Sequence, residues 1–332
     1  MLFVNTLILG TLISISAYSW FSMWIGLEIN LLSFIPLINK SSNNYSSEAS
    51  IKYFIIQALS SIFILFSIIL ILSVNNNFNF SINILTLILN SALLTKMGAA
   101  PFHFWFVEII EGMNWLNSLI LLTWQKIAPM ILIMYNVNYF LYPFMFFIIM
   151  SCMIVSGIMG WNQISLRKIL TYSSINHMGW MLSLILFNQS LWMFYFLIYS
   201  FISLSIIFIF KKMKINLIQQ LFNIMSNNSS LKLFFIINFF SLGGLPPFLG
   251  FFPKWLSIEI LIKSEFYLLA LFMVIMTLLT MYFYLRLMIS SLTFNNSNKI
   301  NFNFKNLNLY FIYLNYFMNF SGLIFISILW NF

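Results

Sequence analysis

Lys126 stands near the middle of "LILLTWQKIAPMILIMY", a tract with no other charge. Glu28 sits the same way in "MWIGLEINLLSFIPL", while Lys96 precedes "GAAPFHFWF" and Lys254 is the penultimate residue of "SLGGLPPFLGFFPKW". A lysine at the centre of a bilayer costs roughly 2.5–3.5 kcal/mol on insertion scales, and such groups usually face protein or water and mark proton or ion paths. A lysine stem reaches only about 6 Å, against a hydrocarbon half-thickness of about 15 Å. Snorkelling can therefore serve Lys52 or Lys263 but not Lys126. Burial disfavours a charged amine, so a buried lysine can exchange its proton near neutrality, and a nearby carboxylate modulates that exchange. Glu28, Lys96, Lys126 and Lys254 thus form a set whose charge states depend on one another. The chemistry they suit is proton movement. His103, just past the first Gly/Pro stretch, and His177, in "YSSINHMGW" beside Ser173 and Ser174, read either as proton relays or as hydrogen-bonded packing residues. Glu108 and Glu111 read as solvated charges.

Membrane helices must position these groups. The 332 residues are 62% hydrophobic and 6% charged, with a mean hydropathy of +0.97. A soluble domain carries about 25% charged residues, so the fold class is all-α and integral to a membrane. About 20 apolar residues span the hydrocarbon. That rule gives about eleven helices, near 2–19, 20–38, 49–73, 80–110, 115–137, 139–159, 165–187, 190–210, 231–263, 265–289 and 309–329, with a turn required near Tyr18. The N-terminus lacks a basic leader or an Arg-rich amphipathic segment and reads as a retained first span. Loops after the first, third, fifth and seventh helices carry no Lys or Arg. Those after the second, sixth, eighth and tenth carry Lys40 and Lys52; Arg167 and Lys168; Lys211, Lys212, Lys214 and Lys232; and Arg286, Lys299 and Lys305. The positive-inside rule puts the N-terminus inside and the C-terminal Phe332 outside.

"GAAPFHFWF" and "GLPPFLGFF" align at Gly98/Gly244, Pro101/Pro247 and Phe102/Phe248. They lie five helices apart, an odd number, so they run through the membrane in opposite directions. Paired Gly/Pro-interrupted spans in opposed orientation point to an inverted-repeat transporter with its ion path at the breaks. The plainer reading is that membrane helices tolerate Gly and Pro; a lysine beside each break favours the transporter. The organisation expected is one membrane domain over 1–332, with repeat units 20–159 and 165–308 and flanking helices 1–19 and 309–332. Two of its helices are discontinuous. A break frees backbone groups and admits water beside Lys254.

Cys152 is the single cysteine, too few for an iron–sulfur cluster, and two histidines cannot hold several bis-histidine haems. There is no Asp, no Gly-rich phosphate loop and no basic face for nucleic acid. Any redox chemistry must run in other chains, and no metal site is expected.

At "LLTKMGAAPFHFWFVEIIEG", "LLTWQKIAPMILI", "LRKILTYSSINHMGWM" and "GGLPPFLGFFPKW" the chain resembles the antiporter-like subunits of mitochondrial NADH–ubiquinone oxidoreductase, respiratory complex I, in insect form. The resemblance covers essentially the whole chain. It implies a core membrane-arm subunit of the H+-translocating NADH:ubiquinone reductase (EC 7.1.1.2) in the mitochondrial inner membrane, with the N-terminus in the matrix and the C-terminus in the intermembrane space. Its partners would be other membrane-arm subunits and lipids. NADH, FMN, iron–sulfur clusters and ubiquinone would be held by other subunits. The family's proton path falls on Glu28, Lys96, Lys126 and Lys254, and its Pro-Phe-His-Phe-Trp and Ser-Ser-x-x-His motifs on His103 and His177. Bacterial relatives carry three more N-terminal helices than this chain. A stand-alone sodium or proton antiporter is the alternative, against which the lack of Asp weighs mildly. A non-conducting scaffold is a third reading.

Overall fold

The computed structural model describes residues 2–39, 44–73, 79–227, 229–293, 310 and 313–320. Lys40, Lys299, Lys305, Phe332 and most of the helix expected over 309–329 lie outside them. The chain divides into two compact units, Met1–Cys152 and Met153–Phe332.

The first unit holds α1 (Leu2–Ser16), α2 (Trp20–Ile38), α3 (Asn44–Ser73), α4 (Asn79–Met97), α5 (Phe104–Gly112), α6 (Trp115–Leu122), α7 (Trp124–Tyr135) and the start of α8 (Tyr142–Met159). The turn near Tyr18 is closed by Ser19, whose hydroxyl accepts from the Ser22 N–H at the start of α2. Small residues let α1 and α2 pack tightly. A Cβ on Gly26 would meet the Gly10 carbonyl at 2.8 Å and the Ser14 nitrogen at 2.6 Å. In α3 the usual pattern is reversed. Ser50, Tyr53, Gln57, Ser60, Ser61, Ile64 and Ser67 recur at helical spacing and are buried, while Ile51, Phe54, Ile55, Leu59, Ile62, Phe63 and Phe66 face outward. A helix in lipid gains nothing by hiding Ile or Phe, so it buries small and polar groups where neighbours can satisfy them. The Trp24 indole donates to the Ser61 carbonyl at 3.1 Å, and Asn117 Nδ2 to the Leu37 carbonyl at 2.7 Å. Interhelical bonds of this kind contribute roughly 0.6 kcal/mol each.

The second unit holds the end of α8, then α9 (Leu166–Phe187), α10 (Gln189–Met213), α11 (Ile218–Asn227), α12 (Ser229–Gly243), α13 (Phe251–Lys263), α14 (Tyr267–Thr293) and the helical residues 313–320. α9 is its centre. Every residue from Ile169 to Leu186 is buried, and α10, α13 and α14 pack against it. α11 falls where an open basic loop was expected. Its Ile218, Leu221, Ile224 and Met225 recur on one face and are buried, with Gln219, Gln220 and Asn223 interspersed.

Among the described residues six stretches are long and apolar enough to cross a membrane. The other five expected spans each miss by a physical cause. α1 is short; 80–110 and 231–263 are each split in two; α9 is long enough but carries Arg167, Lys168, Ser173, Ser174, Asn176 and His177; and the last lies mostly outside the described residues.

Candidate proton-translocation site

The two Gly/Pro stretches share one backbone conformation. α4 ends at Met97 and helix resumes at Phe104; α12 ends at Gly243 and helix resumes at Phe251. Gly98 has φ 73° and Gly244 φ 77°. That left-handed conformation costs glycine nothing. Around each, the same pair of bonds closes the helix. Ala99 N–H reaches the Leu94 carbonyl and Gly98 N–H that of Thr95, while Leu245 reaches Phe240 and Gly244 reaches Ser241. The bonds Ala100–Pro101 and Pro246–Pro247 are both cis.

A helix that stops inside a membrane leaves carbonyls without water. At the first break side chains supply the donors. The Gln57 amide donates to the Lys96 carbonyl at 3.2 Å, the Trp105 indole to Thr95 at 3.0 Å, and Ser151 to Ala100 at 2.8 Å. At the second break the donor is Lys254, whose Nζ donates to the carbonyls of Gly243 at 2.8 Å and Leu242 at 3.2 Å. A helix C-terminus also favours a cation through its dipole.

Lys126 lies past a third interruption, inside the stretch 115–137 that the sequence predicts as one helix. The chain bends at Thr123 (φ -116°, ψ -71°) between α6 and α7. At the bend the Thr123 hydroxyl donates back to the Leu119 carbonyl at 2.8 Å, a contact that often bends helices; Pro129 lies inside α7. Lys126 is 1% exposed, and its Nζ lies 5.4 Å from the centre of the Phe106 ring. At that range the ring face attracts an ammonium. Lys96 and Lys254 are also buried, at 7% and 6% exposure. Glu28 is half-buried on α2. A cavity of about 10 Å³ is lined by Lys96, Asn30, Tyr53, Gln57, Gln125 and Pro129. That is close to the volume one water needs. Gln125, the neighbour of Lys126, donates to Asn30 Oδ1 at 2.9 Å across it.

The first unit therefore brings Lys96, Asn30 and the start of α7 around one pocket; Glu28 does not line it, although its neighbour Leu27 does. His103 does not bond into it. Its Nδ1 lies 3.2 Å from the Pro101 carbonyl and its ring is 4.3 Å from that of Phe104. In the second unit His177 Nδ1 meets the Tyr195 hydroxyl at 2.9 Å, and Lys254 meets its two carbonyls. Asn30, Gln57, Gln125 and Tyr195 were not singled out from sequence. For the first three the signal was a polar side chain inside an apolar tract, within a few residues of a charge; Tyr195 has no charge near it in sequence. Of the residues read as solvated or snorkelling, Lys52 bridges Glu48 and Glu108, each at 3.0 Å, and Lys263 bridges Glu259 at 2.6 Å; all are at least a third exposed. Among the described residues no group of three or more His, Cys, Asp or Glu could hold a metal ion.

Residues 17–280 match the family model of the NADH:quinone oxidoreductase/Mrp antiporter transmembrane region, which sets the class of protein. NADH-ubiquinone oxidoreductase chain 2 of Anopheles gambiae is 46% identical over 99% of this chain and 97% of its own length, and that of Aedes aegypti is 47% identical over the same shares. The fold resembles a chain of respiratory complex I from Thermus thermophilus, with a TM-score of 0.83 at 21% identity, over 95% of this chain and 74% of that one. Within the class, this chain belongs to the NADH-ubiquinone oxidoreductase chain 2 family of complex I membrane subunits.

Proposed function

We propose that the chain carries protons across the mitochondrial inner membrane through Glu28, Lys96, Lys126 and Lys254, with His103 and His177 as relays. Electron transfer from NADH to ubiquinone in other subunits supplies the energy. A change of charge near Glu28 alters the proton affinity of Lys96, then of Lys126 and Lys254. The observation that carries this reading is that all three lysines are buried beside interrupted helices. A break gives a buried amine two things: backbone carbonyls to hold the ammonium, and polar space for the water that takes its proton. Lys254 on the Gly243 carbonyl supports the first and the cavity beside Lys96 the second.

The finer architecture belongs to the same proposal: eleven spans, repeat units 20–159 and 165–308 in opposed orientation, the N-terminus in the matrix and the C-terminus in the intermembrane space. The partners are other membrane-arm subunits and lipids, and the redox cofactors reside in those other subunits. Co-purification with a large NADH-oxidising complex tests the assembly. Recovery as a free antiporter, active without that complex, would overturn it.

A further inference from the structure

His177 packs against two buried tyrosines of the neighbouring helix, and a third tyrosine is buried in α14. Tyr195 and Tyr199 come from α10 and Tyr284 from α14, and each is at most 3% exposed. Tyr195 Oη lies 2.9 Å from His177 Nδ1, and the Tyr199 ring lies 4.9 Å from the imidazole at an interplanar angle of 40°. Ser173 and Ser174, one turn before His177 on α9, donate to the Leu170 and Thr171 carbonyls at 2.7 Å, so their protons are not offered to the imidazole. The Tyr195 phenol is the group at Nδ1, and its hydroxyl can donate there.

We propose that Tyr195 is a positioning residue for His177: its hydroxyl donates to Nδ1, keeping the ring proton of the neutral imidazole on Nε2. Tyr199, its ring 4.9 Å from the imidazole, holds the ring in that register. The hydroxyl of a positioned donor fixes a histidine tautomer because one ring nitrogen must accept while the other carries hydrogen. A relay built this way always offers its proton from the same nitrogen. This inference rests on the proton path proposed above and names how its second-unit histidine is oriented.

The test is redox-induced infrared difference spectroscopy on the assembled complex with ring-labelled histidine, the His177 band being the one lost in His177→Gln. The expected result is an Nε2–H signature in the wild type and a mixed signature in Tyr195→Phe. Proton translocation should fall about tenfold in Tyr195→Phe, less than the roughly 10²–10⁴-fold a positioned proton-transfer group itself supplies, because the imidazole remains. Combined with His177→Gln, Tyr195→Phe should add no further loss. A wild-type Nδ1–H signature overturns the assignment, and needs no variant to fold. Normal translocation in assembled Tyr195→Phe, with Lys126→Ala inactive, overturns this inference and leaves the wider path standing. Normal translocation in Lys126→Ala overturns the path itself.

Discussion

Lys254 and Gly243 are joined by a 2.8 Å hydrogen bond in which the side-chain Nζ caps the carbonyl at the end of α12. The first break ends in the same backbone turn, but Gln57 and Trp105 cap it there. One lysine thus has a structural task and a proposed chemical one, and substitutions can separate them.

Lys254→Met leaves the Leu242 and Gly243 carbonyls buried without their donor. We expect a loss of roughly 1–3 kcal/mol, the cost of an unsatisfied buried group, seen as a lower melting temperature of the purified complex. Lys254→Arg keeps a donor at the break but not a proton that can leave. It should melt near the wild type and translocate poorly.

Gly244→Ala puts a Cβ 2.6 Å from Lys254 Cδ at a position where φ is 77°. The left-handed conformation alone costs a non-glycine residue about 1–2 kcal/mol, and the lysine must move as well. Both melting temperature and translocation should fall. Gly157→Ala is the control, because its Cβ would meet nothing nearer than 3.5 Å, and it should be nearly neutral.

Lys263 makes an exposed i,i+4 pair with Glu259. Such pairs contribute about 0–1 kcal/mol. Lys263→Ala should therefore assemble and turn over within about twofold of the wild type, in quinone reduction and in proton translocation alike.

Topology is testable without chemistry. The segment from Lys211 to Lys232 should face the matrix. In sealed mitochondria stripped of the outer membrane, added protease should leave it intact. Cleavage there would reverse the orientation.

The sequence carried the two broken helices openly, because Gly98 with Pro101 and Gly244 with Pro247 each have a single backbone use. It hid the bend at Thr123, where "TWQK" is unremarkable for a helix. α11 was hidden too, since its apolar face sits between lysines that read as a loop. The lysines and Glu28 were legible because charge inside an apolar tract is conspicuous. Tyr195 and Tyr199 were not: a phenol in a membrane helix looks like packing until two meet one imidazole. Asn30 and Gln125, 95 positions apart, are likewise paired only by the fold.

Proton translocation by the Lys126→Arg complex, measured beside Lys126→Ala and normalised to assembled complex, tests the central claim most directly. Guanidinium keeps its charge and cannot release its proton, so a proton-exchanging Lys126 predicts that Arg fails as Ala does, with coupled quinone reduction falling in step. Assembly must be checked in both, because removing one member of a buried charged set can cost roughly 3–5 kcal/mol. A Lys126 kept only to hold a neighbouring charge would tolerate Arg. Normal pumping by the assembled Lys126→Arg complex would contradict the account.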